Sequence, residues 1–587
     1  MRMIRFFAVV FLCAVLSGIP AGVMARDVRI QIAATADVHA RLFPYDFVAN
    51  QPARTSMANV HYMVQAMRSR DNHNLILLDN GDLLQGTPAA YYANFVQETD
   101  ENLFSRVMNF MRYDAATIGN HDIETGPEVY NRLKDEFDFP WLGANVLDKE
   151  SGEPYFTPYV IIERQRVRIA ILGLTTTGVP NWLPPHLWEG LQFQDMAESA
   201  RYWVDYISEN EQPDAIVGLF HSGLGPLDPE PDDFPLENAS GFIAKHVPGF
   251  DVIFTSHDHR TRVQTVINTR GNEVLVLGPG HFAENLALAE LVFSRTSRRT
   301  FELNDVRAEI ISAEKVVPSH PFIQAFEKDV QEVLEFAGKP VGKLSRSISS
   351  IESMFGSAPF TDLVHQVQLD LTGADISITA PLTLDQTIEA GTVYMRDFFR
   401  LYEFENYLYT MELSGQEILD HLEYSYGLWF NRMRNENDHL MNLHRDELGR
   451  VSPDRRGWRA LRYAPYNFDS AAGVMYTVDV SRPAGSRVEI KGMEDGRPFE
   501  PGAMYRVAIN SYRGSGGGGH LTRGAGISHH ELTGRIVDTT EKDLRSYMID
   551  YFREIGEYHP ESRDNWQVIP EDWARKGREK DMPFLVP

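Results

Sequence analysis

The chain has 587 residues, of which 43% are hydrophobic, 11% aromatic and 24% charged. This is globular composition, long enough for two to four domains of roughly 150 residues, and it excludes a single small module, a disordered chain and a collagen-like one. A formal net charge of −26 repels phosphate backbones, which argues against polymeric nucleic acid as a partner and means that a small anionic substrate must meet local cations such as metal ions.

In chain order, residues 1–25 read as a secretory signal. Arg2 and Arg5 precede the apolar run 6–19, which is too short for a comfortable membrane span, and Val23-Met24-Ala25 offers a small-residue cleavage site. Cleavage there removes Cys13, the only cysteine, so the mature chain has neither a disulfide nor a thiolate metal ligand. No small-residue lipoprotein box precedes Cys13, so no lipid anchor is expected. No later stretch has the ~18 apolar residues of a membrane span. The mature protein is therefore expected in the periplasm or outside the cell, with no stable membrane anchor.

Short apolar runs follow at 29–34, 75–78, 115–118, 168–174, 215–220, 252–255 and 274–277. Each is followed by a polar or glycine-containing break and then a longer helical stretch, a pattern that predicts an α/β layered domain over 26–313. Residues 314–340 are charged and helix-favouring between Pro318 and Pro340, and read as an interdomain linker helix. The remainder, 341–587, carries a helical stretch at 415–425 and strands near 475–480 and 505–509, and is predicted to be a second domain of mixed α and β.

Potential ligands cluster just after the apolar runs of the first domain. Asp37 and His39 follow the first, and their spacing puts both on one face of extended chain. Gly81-Asp82 follows the second, with the glycine free to turn the carboxylate back over the strand end. Gly119-Asn120-His121-Asp122 follows the third, His221 the run 215–220, and His257-Asp258-His259 the run 252–255. Open α/β sheets bind ligands outside the carboxyl ends of their strands, and five loops repeating this arrangement point to one site. Carboxylate, imidazole and amide oxygen without sulfur suit Zn, Mn, Fe, Co or Ni alike. Seven candidate ligands exceed the four or so that one tetrahedral ion takes, so two metals are expected, with Asp82 as the bridging carboxylate.

This ordered set resembles the signature of calcineurin-like metallophosphoesterases. With the second domain, the resemblance extends to the secreted family of 5′-nucleotidases and 2′,3′-cyclic-nucleotide 2′-phosphodiesterases/3′-nucleotidases. It implies a four-layer calcineurin-like metallophosphoesterase sandwich followed by a mixed α/β nucleotide-binding domain. It further implies one metal on Asp37, His39, Asp82 and His259 and another on Asp82, Asn120, His221 and His257. His121 is then not a ligand but a cation facing the phosphate. In relatives an Asp often stands three residues beyond this histidine; here the position is Glu124, and either Glu124, Asp122 or a remote acid is left to orient the ring. Two dications lower the pKa of a water so that it attacks phosphorus in line.

In the second domain, stretches around Ala374, Thr392, Tyr466 and Asn510 are similar to the family's nucleotide-binding domain, and Tyr466 and Tyr512 match its base-stacking positions. A base sandwiched between two rings gains about 1–3 kcal/mol per stack. The glycine run that includes Gly517 and Gly518 is read as a tight loop, beside the Tyr512 strand, that lets ligand approach the backbone. Typical 5′-nucleotidases place arginines after the strand at 376–379, whereas this chain continues Ala380-Pro381-Leu382. The expected substrates are therefore small nucleotides, 2′,3′-cyclic nucleotides and 3′-nucleotides first. The alternatives are a 5′-nucleotidase, a broad nucleotide or UDP-sugar hydrolase, or a nucleotide-binding receptor without catalysis.

Overall fold

The computed structural model describes residues 27–70, 74–230, 236–297, 300–453 and 459–586. The secretory-signal reading of residues 1–25, Cys13 included, lies outside them. Among the described residues no helix is long and apolar enough to cross a membrane.

The first domain holds two facing sheets. Strands β1 (Val28–Thr35), β2 (Leu75–Asp79), β3 (Ala115–Thr117) and β4 (Trp141–Leu142) run parallel side by side. The second sheet takes β5 (Tyr159–Arg164), β6 (Val167–Thr175), β7 (Ala215–His221), β8 (Val252–Thr255), β9 (Thr261–Ile267) and β10 (Glu273–Pro279), in the order β9-β10-β8-β7-β6-β5. The chain then returns to the first sheet through β11 (Asn285–Arg295) and β12 (Phe301–Ser312), antiparallel beside β1, giving β12-β11-β1-β2-β3-β4.

Side-chain parity explains the layering. Ile30, Ile32 and Ala34 of β1, Ile76 and Leu78 of β2, Ile169 and Ile171 of β6, and Val217 and Leu219 of β7 all enter one core between the sheets. Their alternates turn outward: Leu75 and Leu77 pack under helices Met57–Arg70 and Leu103–Met111, and Leu172, Ile216 and Ile253 under helices Met196–Asn210 and Ser240–His246. Strands covered on both faces read as continuous apolar runs, which is why each of the seven runs coincides with a strand. β11 carries the same kind of run at 286–289 and 291–293, buried on both faces and not among the seven, whereas β12 has none, because it alternates partly buried and exposed positions along a sheet edge.

The predicted single linker helix is two helices, His320–Ala325 and Glu327–Ala337, broken at Phe326, whose φ of −118° and ψ of 17° leave the helical region. Phe322, Phe326 and Val333 pack into the first domain's core, and Phe336 into that of the second. The second domain is built on a sheet of β13 (Ile376–Thr379), β14 (Leu408–Ser414), β15 (Ser470–Ala472), β16 (Met504–Asn510) and β17 (Ile536–Thr539), ordered β15-β13-β16-β14-β17. The domains touch directly: the Tyr91 and Ser546 hydroxyls are 2.9 Å apart, and Arg400 donates to the Val48 carbonyl at 2.6 Å. A cleft of about 220 Å³ between them is lined by Tyr91, Glu124, Glu405, Tyr407 and Asp543, among others.

Candidate metal centre

The loops leaving β1, β2, β3, β7 and β8 at their carboxyl ends form one surface. Asn80 ties it together by donating its amide to the carbonyls of Phe220 and Phe254, the ends of β7 and β8, at 3.0 and 3.1 Å. The Asp37 and His39 amides donate to the Gly81 and Asp82 carbonyls at 2.9 and 3.0 Å. Gly81 has φ +84°, and a Cβ there would meet Nδ1 of His221 at 2.7 Å, so this turn excludes any side chain. Asp37, His39, Asp82, His257 and His259 themselves hold left-handed backbone, with φ of 47°, 46°, 56°, 68° and 58°. Residues other than glycine seldom adopt such angles, and where they do, the surrounding structure commonly serves a site.

Two clusters result. Ligand atoms of Asp37, His39 and His259 lie within 4.8 Å of one another, and so do those of Asp82, His221 and His257. In the first cluster the Nε2 atoms of His39 and His259 are 3.0 Å apart, and Nε2 of His259 is 3.7 Å from Oδ1 of Asp37. In the second, Nε2 of His221 lies 3.1 Å from both Oδ2 of Asp82 and Oδ1 of Asn120. The seven residues predicted as ligands are thus brought to one place. Asp82 stands in the second cluster, and its reach toward His39 is electrostatic.

Electrostatics suit cations here. Burial pushes the pKa of His39 down to about 3 and that of His259 well below the usual range, so both offer lone pairs. Burial also opposes charge on His221, but Asp82 outweighs it and pushes the pKa up to about 9. Asp82 is held well below the ordinary carboxylate range by His221 and His121, against the pull of burial, while burial raises Asp37. The charge of Asp82 is therefore balanced in part by the proton on His221, a proton of the kind that metal binding displaces. Carboxylates, imidazoles and an amide oxygen around two points, with no sulfur, fit a pair of divalent cations.

His121 belongs to neither cluster. Its ring centroid lies 5.5 Å from that of His39, and its Nδ1 lies 2.5 Å from Oε2 of Glu124. Burial disfavours its charge, but Asp82 and Glu124 outweigh that and push the pKa up to about 10. Of the acids left open for this role, Glu124 is the one in contact. Asp122 does a different job: its carboxylate accepts the amides of Asp82, Leu83, Leu84 and Gly119 and so fixes the two loops together. Two further groups at the site carry no motif in the sequence. Glu237 accepts from Nε2 of His257 at 3.0 Å, and the Trp182 ring stacks on His257. Both lie in loops between strands, where no periodic pattern marks them.

In the second domain Tyr466 sits in the turn Pro465–Asn467, and Tyr512 in the short helix Ser511–Gly514 just after β16, not on a strand as expected. Their ring centroids are 6.5 Å apart with planes at 89°. They touch edge to face, so the expected parallel sandwich is not preformed and a base entering between them requires one ring to turn. Gly517 and Gly518 have an internal packing purpose. A Cβ on Gly517 would strike the Tyr512 ring at 2.6 Å, and one on Gly518 would strike Asn467 at 2.6 Å and overlap the Arg513 guanidinium. Arg513, within the stretch that resembles the family's nucleotide-binding domain, organises this region. Buried, it pairs with Asp469 at 2.8 Å and donates to the Gly517 and Tyr466 carbonyls at 2.5 and 2.7 Å.

The comparisons with known proteins agree with this geometry. Residues 30–261 match the family model of calcineurin-like phosphoesterases, and residues 340–523 match that of the 5′-nucleotidase C-terminal domain. The trifunctional nucleotide phosphoesterase protein YfkN of Bacillus subtilis is 27% identical over 93% of this chain, which spans only 39% of that relative's length. The 2′,3′-cyclic-nucleotide 2′-phosphodiesterase/3′-nucleotidase of Salmonella typhimurium is 26% identical over 94% of this chain and 90% of its own. A solved structure of a candidate 5′-nucleotidase from Staphylococcus aureus has the same fold, with a TM-score of 0.74 and 22% identity over 92% of this chain and all of the other. The chain thus carries a calcineurin-like phosphoesterase domain followed by a 5′-nucleotidase C-terminal domain.

Proposed function

We propose that this protein is a dinuclear-metal phosphohydrolase of nucleotides, exported to the periplasm or beyond the cell, that acts on 2′,3′-cyclic nucleotides and 3′-nucleotides. The observation that carries the chemistry is the cationic His121, held by Glu124 beside two clusters of carboxylate and imidazole. Asp37, His39, Asp82 and His259 would hold one divalent cation and Asp82, Asn120, His221 and His257 another, and such ions, when bound, would supply Lewis-acid charge for phosphoryl oxygens and lower the pKa of a water. His121 presents Nε2, the nitrogen not engaged by Glu124, to the oxygens on which charge builds in the transition state. Glu124 keeps that ring charged and in one orientation. Asp122 holds the Asp82 and Gly119 loops at fixed separation, so that the ligands and His121 keep their relative positions. Tyr466 and Tyr512 offer ring faces to the base, which selects nucleotides over simple esters.

The choice among nucleotides is supported by the loop after β13. It reads Ala380-Pro381-Leu382 and has no arginine with which to grip a terminal phosphate. The Salmonella relative, named for the cyclic-nucleotide and 3′-nucleotide activities, matches along most of both chains. The test is phosphate release by the metal-loaded protein from 2′,3′-cAMP, 3′-AMP, 5′-AMP and a UDP-sugar side by side. The highest kcat/KM is expected on the first two; a higher value on 5′-AMP makes the protein a 5′-nucleotidase, and one on the UDP-sugar a hydrolase of that class.

A further inference from the structure

The two clusters differ in what stands behind their histidines. In the first, Nδ1 of His39 is buried with no hydrogen-bond partner among the described residues. In the second, His257 is held at both edge and face. Its Nε2 lies 3.0 Å from Oε1 of Glu237, and the Trp182 indole stacks on it with centroids 5.4 Å apart and planes at 21°. A nitrogen that gives its proton to a carboxylate cannot also give a lone pair to a cation. By elimination, the atom that His257 offers to the cluster of Asp82 and His221 is Nδ1.

Glu237 is itself anchored. Its backbone carbonyl accepts from Oγ1 of Thr176 at 3.0 Å and from Oγ of Ser222 at 3.1 Å, and Ser222 directly follows the ligand His221. The carboxylate is thus placed by the same loop that carries another member of the cluster, although 55% of its side chain is exposed.

We propose that Glu237 is a positioning residue for the second metal: by accepting the Nε2 proton of His257 it selects the tautomer with a bare Nδ1, aligns that ring with Asp82 and His221, and makes the nitrogen a better ligand. This rests on the two-metal reading above. It implies that the two ions are held by different means, the second alone depending on an acid outside the ligand set.

Metal titration of the full-length, metal-free protein with Zn against a chromophoric chelator tests the assignment. Glu237→Ala should weaken the second equivalent by about 10- to 100-fold while the first changes little. Glu237→Gln keeps an accepting oxygen and should recover part of that loss. In cobalt-loaded protein, the visible absorption of the second ion should shift further in the alanine variant than in the glutamine one. Two equivalents bound as tightly in Glu237→Ala as in the parent overturn the proposal, and so does equal weakening of both, which marks a general loss of structure. A parent protein that takes up a single equivalent overturns the two-metal reading and this assignment together.

Discussion

Histidines in the two domains serve opposite ends. At the strand ends of the first domain, Asp82 pushes His221 up to about 9 and, with Glu124, His121 up to about 10, against burial, while His39 is neutral. In the second domain, burial lowers His365, to about 3, as well as His421 and His520. There each ring bonds to a neighbour inside the domain: His365 between the Ser377 and Ser470 hydroxyls, His421 on Asp469, and His520 on the Asn467 carbonyl, while Nδ1 of His421 and of His520 is buried without a partner among the described residues. The difference teaches that a histidine's role follows from the charges its neighbours set beside it. In the first domain, carboxylates and imidazoles converge at the strand ends; in the second, burial disfavours charge on the rings and they bond to hydroxyls, one carboxylate and a carbonyl.

The largest effect that can break this contrast is removal of metal. Activity should vanish on dialysis against a strong chelator and return with Mn, Co or Zn, while the thermal unfolding of the second domain stays where it was. Full turnover in verified metal-free protein would contradict the role given to the first domain's histidines.

Next in size, His121→Ala should lower kcat by about 10²–10³, as for loss of one well-placed transition-state donor, with metal content unchanged. Loss of a metal equivalent in that variant would make His121 a ligand. Glu124→Gln should cost less, since it removes charge but keeps an acceptor near Nδ1.

On the other side of the comparison, Arg513→Ala leaves the buried Asp469 with only the His421 ring as a hydrogen-bonding side-chain partner among the described residues, and the second domain should lose up to about 3–5 kcal/mol. Denaturant unfolding followed by Trp429 or Trp566 fluorescence, both in that domain's core, reads the loss. A change within error would show that the Arg513 network is not what holds the tyrosine platform.

At neutral pH the smallest effect is that of His365, which emerges only as the pH falls. His365 has a native pKa of about 3 against about 6.5 unfolded, so the native state binds fewer protons between these values. Its contribution to stability is complete above about 6.5 and declines as pH falls toward 3, by at most about 1.4 kcal/mol per unit. His365→Gln should flatten that acid limb, as measured by denaturant midpoints between pH 7 and 4.

The same contrast explains what was legible in the sequence. The ligands of the first domain could be found because parallel strands buried on both faces are continuous apolar runs, and each ligand stands one to five residues beyond such a run's end. Glu237 and Trp182 could not, because they reach His257 from loops with no pattern of their own. In the second domain, the resemblance at Tyr466 and Tyr512 located the two rings. Their perpendicular arrangement depends on a contact between segments about 50 residues apart, and Gly517 and Gly518 admit Tyr512 and Arg513 only because a tight turn folds back on the residues just before it, which spacing along the chain does not encode. Asp122 and Glu124 show the limit most sharply: both stand near His121 in sequence, and only the short helix Asn120–Ile123 decides that one turns to the loop amides and the other to the ring.

The most direct test of the division between the domains is the Tyr466→Ala, Tyr512→Ala double variant assayed on its preferred nucleotide and on a small activated aryl phosphodiester. Stacking on a base that does not react is uniform binding, and two lost stacks of about 1–3 kcal/mol each should lower kcat/KM for the nucleotide at least about tenfold, chiefly through KM. The aryl ester, which has no base to hold, should be hydrolysed as by the parent protein. If both substrates lose kcat/KM by the same factor, the tyrosines support the fold and the base is read elsewhere.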